Sequence, residues 1–240
     1  MTITRMLQEQ AAHQPANLAF RFLRDGGAAE LTLTFQETDT QARCIAAALQ
    51  ARTDDGDPVL LIYPPGLEFV SAFFGSLYAG TVGVPIPVPH QNRSLDRLRA
   101  IAVDAKPRLV LTTAGMRVLL LRRSREMPQL LSLEWLLTDQ LDASGSGKWQ
   151  DRQRSGDTLA YLQYTSGSTA VPRGVMVSHR NITHNLGLIR QTFEFNAQTS
   201  LVFWLPHHHD MGLGALMLPV FGCPLTFMAP ASFVQRPYRW

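Results

Sequence analysis

Between Val59 and Thr113 the sequence switches repeatedly between two periodicities, and this restricts the possible folds more than any other feature. Val59 to Tyr63 is short, branched and apolar, as a buried strand should be, and "PPG" at 64 to 66 breaks it. Leu67 to Tyr78 returns to helical spacing, "TVGVPI" reads as a strand, "SLDRLRAIAVDA" as a helix, and "RLVLTT" as a strand again. Strands that are separated each time by a helix cannot form hairpins with each other. They line up in a largely parallel sheet with helices on its faces, an α/β fold.

The flanks extend this pattern. "MTITRMLQEQAAHQ" predicts an amphipathic helix with Ile3, Met6, Leu7 and Ala11 inward, and "FQETDTQARCIAAALQ" another with Ile45, Ala48 and Leu49 inward. The polar, glycine-bearing stretch 142–157 reads as a surface loop or linker between a first α/β part, 1–141, and a second, 158–240. With 240 residues, 45% of them hydrophobic and 17% charged, the chain can bury a large core as one big domain or two small ones.

A net charge of +3 is only mildly basic, and the Lys and Arg residues are scattered apart from 119–126, which reads as a solvated helix face; no nucleic-acid partner is expected. Glu68, glycines and prolines interrupt the longest apolar stretch, Leu67 to Pro89, so no membrane span is expected there. The N-terminus does not read as a targeting segment. Cys44 and Cys223 lie far apart and suggest neither a disulfide framework nor a metal cluster, which fits a reducing cytoplasm.

The chemistry concentrates at "YTSGSTAVPRG", residues 164–174. It follows the strand candidate "TLAYLQY" and precedes a short strand at Val175 to Val177 and a helix with Ser178 as N-cap and Ile182, Leu186 and Ile189 inward. Ligands of α/β sheets gather at the carboxyl ends of strands, where this loop would sit. Gly167 permits close backbone approach, successive N–H groups can form an anion-binding nest, the hydroxyls of Thr165, Ser166, Ser168 and Thr169 can donate to phosphate oxygens, and Arg173 adds a fixed charge. A solvated serine and threonine turn has the same composition. The chain has no Walker A loop and no G-x-G-x-x-G.

"YTSGSTAVPRGVMVSH" resembles the phosphate-binding signature of the adenylate-forming superfamily, T-S-G-S-T-G-x-P-K-G, which includes acyl-CoA synthetases, luciferases and amino-acid adenylation domains. It departs from the pattern at Ala170 and Arg173, which replace a usual glycine and lysine. Residues 63–89, 98–113, 204–230 and 232–240, with "HDMG" and "RPYRW", are similar to fatty acyl-AMP ligases, which activate fatty acids for carrier proteins. The resemblance implies a three-layer architecture with largely parallel sheets flanked by helices, as in the large N-terminal domain of these enzymes.

It also implies roles for individual residues. Thr165, Ser166, Gly167, Ser168, Thr169, Arg173 and Gly174 would hold the phosphates of ATP, with Thr165 or Thr169 assisting Mg2+. His209 and Asp210 would face the acyl carboxylate and adenylate. The residues themselves leave a second reading of Asp210 open, in which it braces its loop. Side chains of the neighbouring His207, His208 and His209 diverge, so a metal cluster is not expected, and His207 and His208 are expected to be exposed. Leu213, Leu216, Met217 and Leu218 have core-like helical spacing. Gly212 and Gly214 would permit close approach, making Gly212, Leu213 and Met217 candidates for an acyl-tunnel wall. Trp204 and Phe233 are expected to pack.

The implied reaction is attack of a fatty carboxylate on the α-phosphorus of ATP, loss of pyrophosphate, and transfer of the acyl group to the phosphopantetheine thiol of an acyl carrier protein or carrier domain. Family members continue beyond the region matched here, with adenine and ribose motifs and a mobile C-terminal lobe carrying a lysine. On this expectation the chain lacks the C-terminal portion of the same enzyme, is inactive alone, and associates through uncovered strands. An acyl-CoA synthetase fragment and a non-catalytic binding module are the alternatives.

Overall fold

A computed structural model of the chain describes residues 1–24, 27, 30–89, 95–122, 128–165, 172–196 and 198–239. Helix α1 (Ile3–His13) precedes an antiparallel pair, β1 (Leu18–Leu23) and β2 (Glu30–Thr34). The alternating region follows: α2 (Phe35–Gln50), β3 (Pro58–Ile62), α3 (Leu67–Ala79), β4 (Val82–Ile86), α4 (Asp96–Ala105), β5 (Leu109–Thr112), α5 (Ala114–Leu121), α6 (Pro128–Leu131) and β6 (Glu134–Leu137). Then come β7 (Leu159–Thr165), β8 (Arg173–Ser178), α7 (His179–Thr192), β9 (Leu201–Phe203), α8 (Asp210–Met217), β10 (Leu225–Met228) and α9 (Pro230–Gln235).

The strands form two sheets, one of six in the order β6-β5-β3-β4-β7-β8 and one of four in the order β2-β1-β10-β9. All pairings are parallel except β1 with β2 and β7 with β8. In the parallel centre Val59 lies beside Gly83 on one side and Leu109 on the other. Alternate residues leave the six-stranded sheet on opposite faces. Val59, Leu61, Leu109 and Leu111 join one core cluster, while Leu60, Ile62 and Val110 join a second under α4, α5 and α6. Helices α4 to α6, the sheet, and α2 with α3 make three layers, and the four-stranded sheet covers the far side of α2 and α3.

Position α3 explains its composition. It touches β3 and β4 on one side and β1 and β2 on the other, so every residue except Glu68 is buried, and an amphipathic stripe would be the wrong pattern for it. Gly75 lets α2 lie against it: a Cβ there would come within 2.7 Å of Ile45 Cβ. Helix α2 starts at a capping box in which Thr34 and Glu37 satisfy each other's backbone N–H groups.

Residues 142–157 are strapped across the ends of these two helices. Trp149 donates from Nε1 to the Tyr78 carbonyl (3.1 Å) and lies under the Arg43 guanidinium (4.5 Å). Arg154 donates to the Ala79 carbonyl (2.8 Å), and the Cys44 thiol to that of Asp142 (3.0 Å). Each sheet takes strands from both sides of this segment, and one core cluster runs from Ile3 to Phe227. The four-stranded sheet had no signal in the alternating pattern, because β9 has three residues and β10 returns to pair with β1 from about two hundred positions away.

Candidate functional site

The site lies at the carboxyl end of β7. Tyr161, Gln163 and Thr165 alternate onto one face of this strand, and their burial falls away along it: Tyr161 and Gln163 are buried and Thr165 is exposed. Thr165 is the Cα partner of Arg173 on β8. Directly opposed residues of an antiparallel pair project to the same face with Cβ atoms roughly 5 Å apart, so a hydroxyl and an exposed guanidinium stand together where the strands open. Ser166, Gly167, Ser168 and Thr169 lie outside the described residues, between these two strand ends.

Gly174 has a defined local role. It opposes Tyr164, and a Cβ on it would sit 2.9 Å from the tyrosine ring. Without one, the ring folds across β8, and its hydroxyl donates to Asp104 of α4. Burial, followed by this carboxylate, holds the Tyr164 phenol well above its ordinary pKa. Helix α7 begins at Ser178, which with Asn181 forms a reciprocal cap, and buries Ile182 and Leu186 as expected.

The second wall is the segment between β9 and α8. Gln163 donates from Nε2 to the His208 carbonyl (2.8 Å), tying the histidine segment to β7 two residues before Thr165. His209 is the N-cap of α8 without a side-chain capping bond, and both it and Asp210 are exposed. Asp210 accepts from the Met211 N–H (2.8 Å), so part of the bracing role holds; its charge also reaches Tyr161, whose phenol is pushed up to about 12 by burial and then by Asp210. The Thr165–Arg173 pair and the segment bearing His209 and Asp210 are thus tied to one strand end.

His207 is not exposed as expected. It is 6% exposed, with its ring 4.0 Å from that of Phe69. Among the described residues neither ring nitrogen has a hydrogen-bonding partner, and the Tyr63 backbone favours the proton only slightly. Burial, and next the neighbouring His208, lower its pKa to about 3. His208 is partly buried, and burial, His209 and Arg97 lower it to about 4. Pattern reading failed here because three like residues in a row carry no periodicity, and only the packing against α3 selects which one turns inward.

The candidate acyl-wall residues have the burial that their core-like spacing predicts. Leu213 and Met217 belong to the main core, 0% and 3% exposed. The space beside Gly212 is filled from within the protein, since a Cβ would lie 1.9 Å from the Pro206 carbonyl oxygen. Gly212 therefore lets residues 206–209 fold back over α8 and aims the histidines. Gly214 has open space where a Cβ would be. Trp204 and Phe233 stack at 3.9 Å, nearly parallel.

Among the described residues, no group of His, Cys, Asp and Glu converges as a metal site, and no helix is long and apolar enough to cross a membrane. Two cavities, of about 410 and 280 Å³, lie elsewhere. One is beside Arg5, Trp149 and Arg154, and the other is between α2 and α3 beside Cys44 and Glu68. Sequence reasoning missed Gln163 and Arg97. Gln163 could have been noticed as a polar residue on the buried face of a strand; Arg97 had no such signal.

Known proteins resemble this chain along its length. The chain is 39% identical to the medium-chain-fatty-acid–[acyl-carrier-protein] ligase JamA of Moorena producens, over all of this chain and 41% of the relative. It is 36% identical to the long-chain-fatty-acid–AMP ligase FadD32 of Mycobacterium marinum, over 99% of this chain and 38% of the relative. A fatty acyl-adenylate ligase from L. pneumophila, solved with acyl adenylate and pyrophosphate, superposes with a TM-score of 0.90 at 38% identity, over all of this chain and 41% of that one. The chain thus spans about two fifths of the length of these relatives. Residues 7–240 match the family described as AMP-binding enzymes, and with that match covering nearly its whole length the chain belongs to this family.

Proposed function

We propose that this chain supplies the phosphate-handling and acyl-facing part of a ligase that activates a fatty acid with ATP and passes it to a carrier-protein phosphopantetheine. The observation that carries the reading is the opposed Thr165–Arg173 pair at the mouth of β7 and β8, tied through Gln163 to the segment bearing His209 and Asp210. The name of the JamA relative carries the same acid and acceptor, and that of the FadD32 relative the same acid and its activation with AMP.

In this reading the carboxylate oxygen attacks the α-phosphorus, the bond to the bridging oxygen breaks, and pyrophosphate leaves. Arg173 stays charged throughout and offers a planar fork to the departing phosphates, and the Thr165 hydroxyl donates beside it. Ser166, Gly167, Ser168, Thr169 and Gly174 complete this cradle, with Gly174 acting through its close fit to Tyr164. His209 and Asp210 border the acyl carboxylate. The acyl chain runs along α8, whose surface opens at Gly214 while Gly212, Leu213 and Met217 set its backing. Magnesium suits this donor set, since it is usually held by phosphate oxygens and waters plus one or two protein oxygens, here the exposed Thr165 hydroxyl, with Thr169 as second candidate. It would neutralise charge on the leaving pyrophosphate.

The test is hydroxamate trapping of acyl-adenylate with ATP, Mg2+ and a fatty-acid series, followed by acyl transfer to a holo carrier protein or to coenzyme A. The full-length protein should form hydroxamate and load the carrier, and Arg173→Gln should lower turnover by at least tenfold. No adenylate with any fatty acid would overturn the reading; loading of coenzyme A alone would overturn the acceptor.

A further inference from the structure

Helix α4 follows β4 in the chain and packs against β8, and Arg97 is in its first turn. Its Nη2 donates to the Tyr164 carbonyl at 3.3 Å. Tyr164 opposes Gly174, and the next residue, Thr165, opposes Arg173, so this is the last carbonyl before the Thr165–Arg173 mouth. Arg97 is exposed, and among the described residues no carboxylate pairs with it. The two acidic groups on its own helix are engaged elsewhere: Asp96 with Arg99 at 3.3 Å, and Asp104 with the Tyr164 hydroxyl. Its charge also extends to the histidine segment, where it disfavours protonation of His208.

We propose that Arg97 is a second phosphate-binding cation of this site, contacting the pyrophosphate end of the nucleotide beside the Thr165–Arg173 pair. The inference rests on the adenylating function proposed above. One long bond to a neutral carbonyl uses one of the five guanidinium donors and leaves the charge uncompensated. That bond fixes the side chain in direction, so its positive charge is preorganised for an anion. Arg173 and Arg97 would then hold the leaving group from two elements, a strand edge and a helix start. Arg97 would also report to the backbone of β7 when pyrophosphate is present.

Calorimetric titration of the full chain with magnesium pyrophosphate tests this, with Arg97→Gln, Arg97→Lys and Arg173→Gln beside the wild type and melting temperatures as a fold control. Arg97→Gln should weaken pyrophosphate binding at least tenfold, Arg97→Lys no more than about threefold, and Arg173→Gln at least tenfold. Arg97→Gln binding like the wild type while Arg173→Gln is impaired would overturn the role of Arg97 alone. Arg97→Lys as weak as Arg97→Gln would show a backbone brace and not a phosphate contact, and would overturn it too. No pyrophosphate binding by the wild type would remove the phosphate role of the whole site, and this inference with it.

Discussion

On β3 and β4 every residue from Val59 to Ile62 and from Val82 to Ile86 is buried, whereas on β8, two strands away in the same sheet, Val175 and Met176 are 50% and 71% exposed. The central strands lie between helices on both faces and carry almost nothing but apolar side chains. At the β7–β8 end, polar groups are buried without full satisfaction: among the described residues, Gln163 Oε1 and both nitrogens of His207 lack partners. An unpartnered buried polar atom costs about 1–3 kcal/mol, which a saturated core avoids and a binding site can tolerate when its neighbours are rigid. Rigidity at the centre of the sheet and incompleteness at its edge are thus two parts of one arrangement, since the first holds the second in place.

The largest effect should come from damaging the centre. Phe74→Ala, deleting a ring that is 0% exposed between the sheets, should destabilise by about 3–5 kcal/mol in denaturant titration, because a cavity there cannot collapse against two sheets. A loss below about 1 kcal/mol would mean that the centre is not the rigid half. Next is Gly212→Ala, whose methyl meets the Pro206 carbonyl oxygen; it should cost about 1–3 kcal/mol and displace the His209–Asp210 segment, lowering adenylate formation in the full-length protein more than stability alone predicts. Equal activity would separate that segment from the site.

The acid limb of stability sharpens the contrast further. His207, His208 and His179 have folded pKa values lowered to about 3, 4 and 4 from 6.5, each chiefly by burial. Below pH 6.5 the unfolded chain therefore binds protons that the folded one refuses. Stability is fully present above that pH and falls as pH drops toward 4, by up to about 1.4 kcal/mol per pH unit for each histidine. His207→Phe, packed on Phe69, should remove about one proton from this dependence while leaving stability at pH 8 within about 1.5 kcal/mol; an unchanged slope would show that His207 is protonated when folded. The smallest effect is expected for Gln163→Met, which removes the bond to the His208 carbonyl together with an unpartnered buried oxygen. Stability should change by less than about 1 kcal/mol while turnover falls, and a large stability loss with intact turnover would make Gln163 a structural residue.

Much of this architecture was legible because local rules and burial agree. The strand and helix alternation from Val59 to Thr113, the inward faces of α1 and α2, and the Ser178 cap each follow from spacing within one element. The hydroxyl-rich stretch stood out as a candidate phosphate cradle, and its resemblance to adenylate-forming enzymes agrees with the family match over residues 7–240. Other features were hidden. The inward turn of His207, the Pro206 carbonyl lodged against Gly212, and the placing of Arg97 beside Tyr164 each depend on a partner far away in the chain or on a backbone fold that no local pattern encodes.

The sequence by itself therefore determined the strand and helix alternation from Val59 to Thr113 with its parallel centre, and it offered the residues proposed to handle phosphate, because those depend on periodicity, turn chemistry and side-chain charge within a few residues. The tertiary structure alone decided that β1 pairs with β10 across the length of the chain, that Thr165 faces Arg173, and that Gln163 holds the histidine segment at the same strand end. Such contacts join residues from 8 to about two hundred positions apart. Their geometry is set by which buried surfaces pack together, and that is a property of the assembled fold.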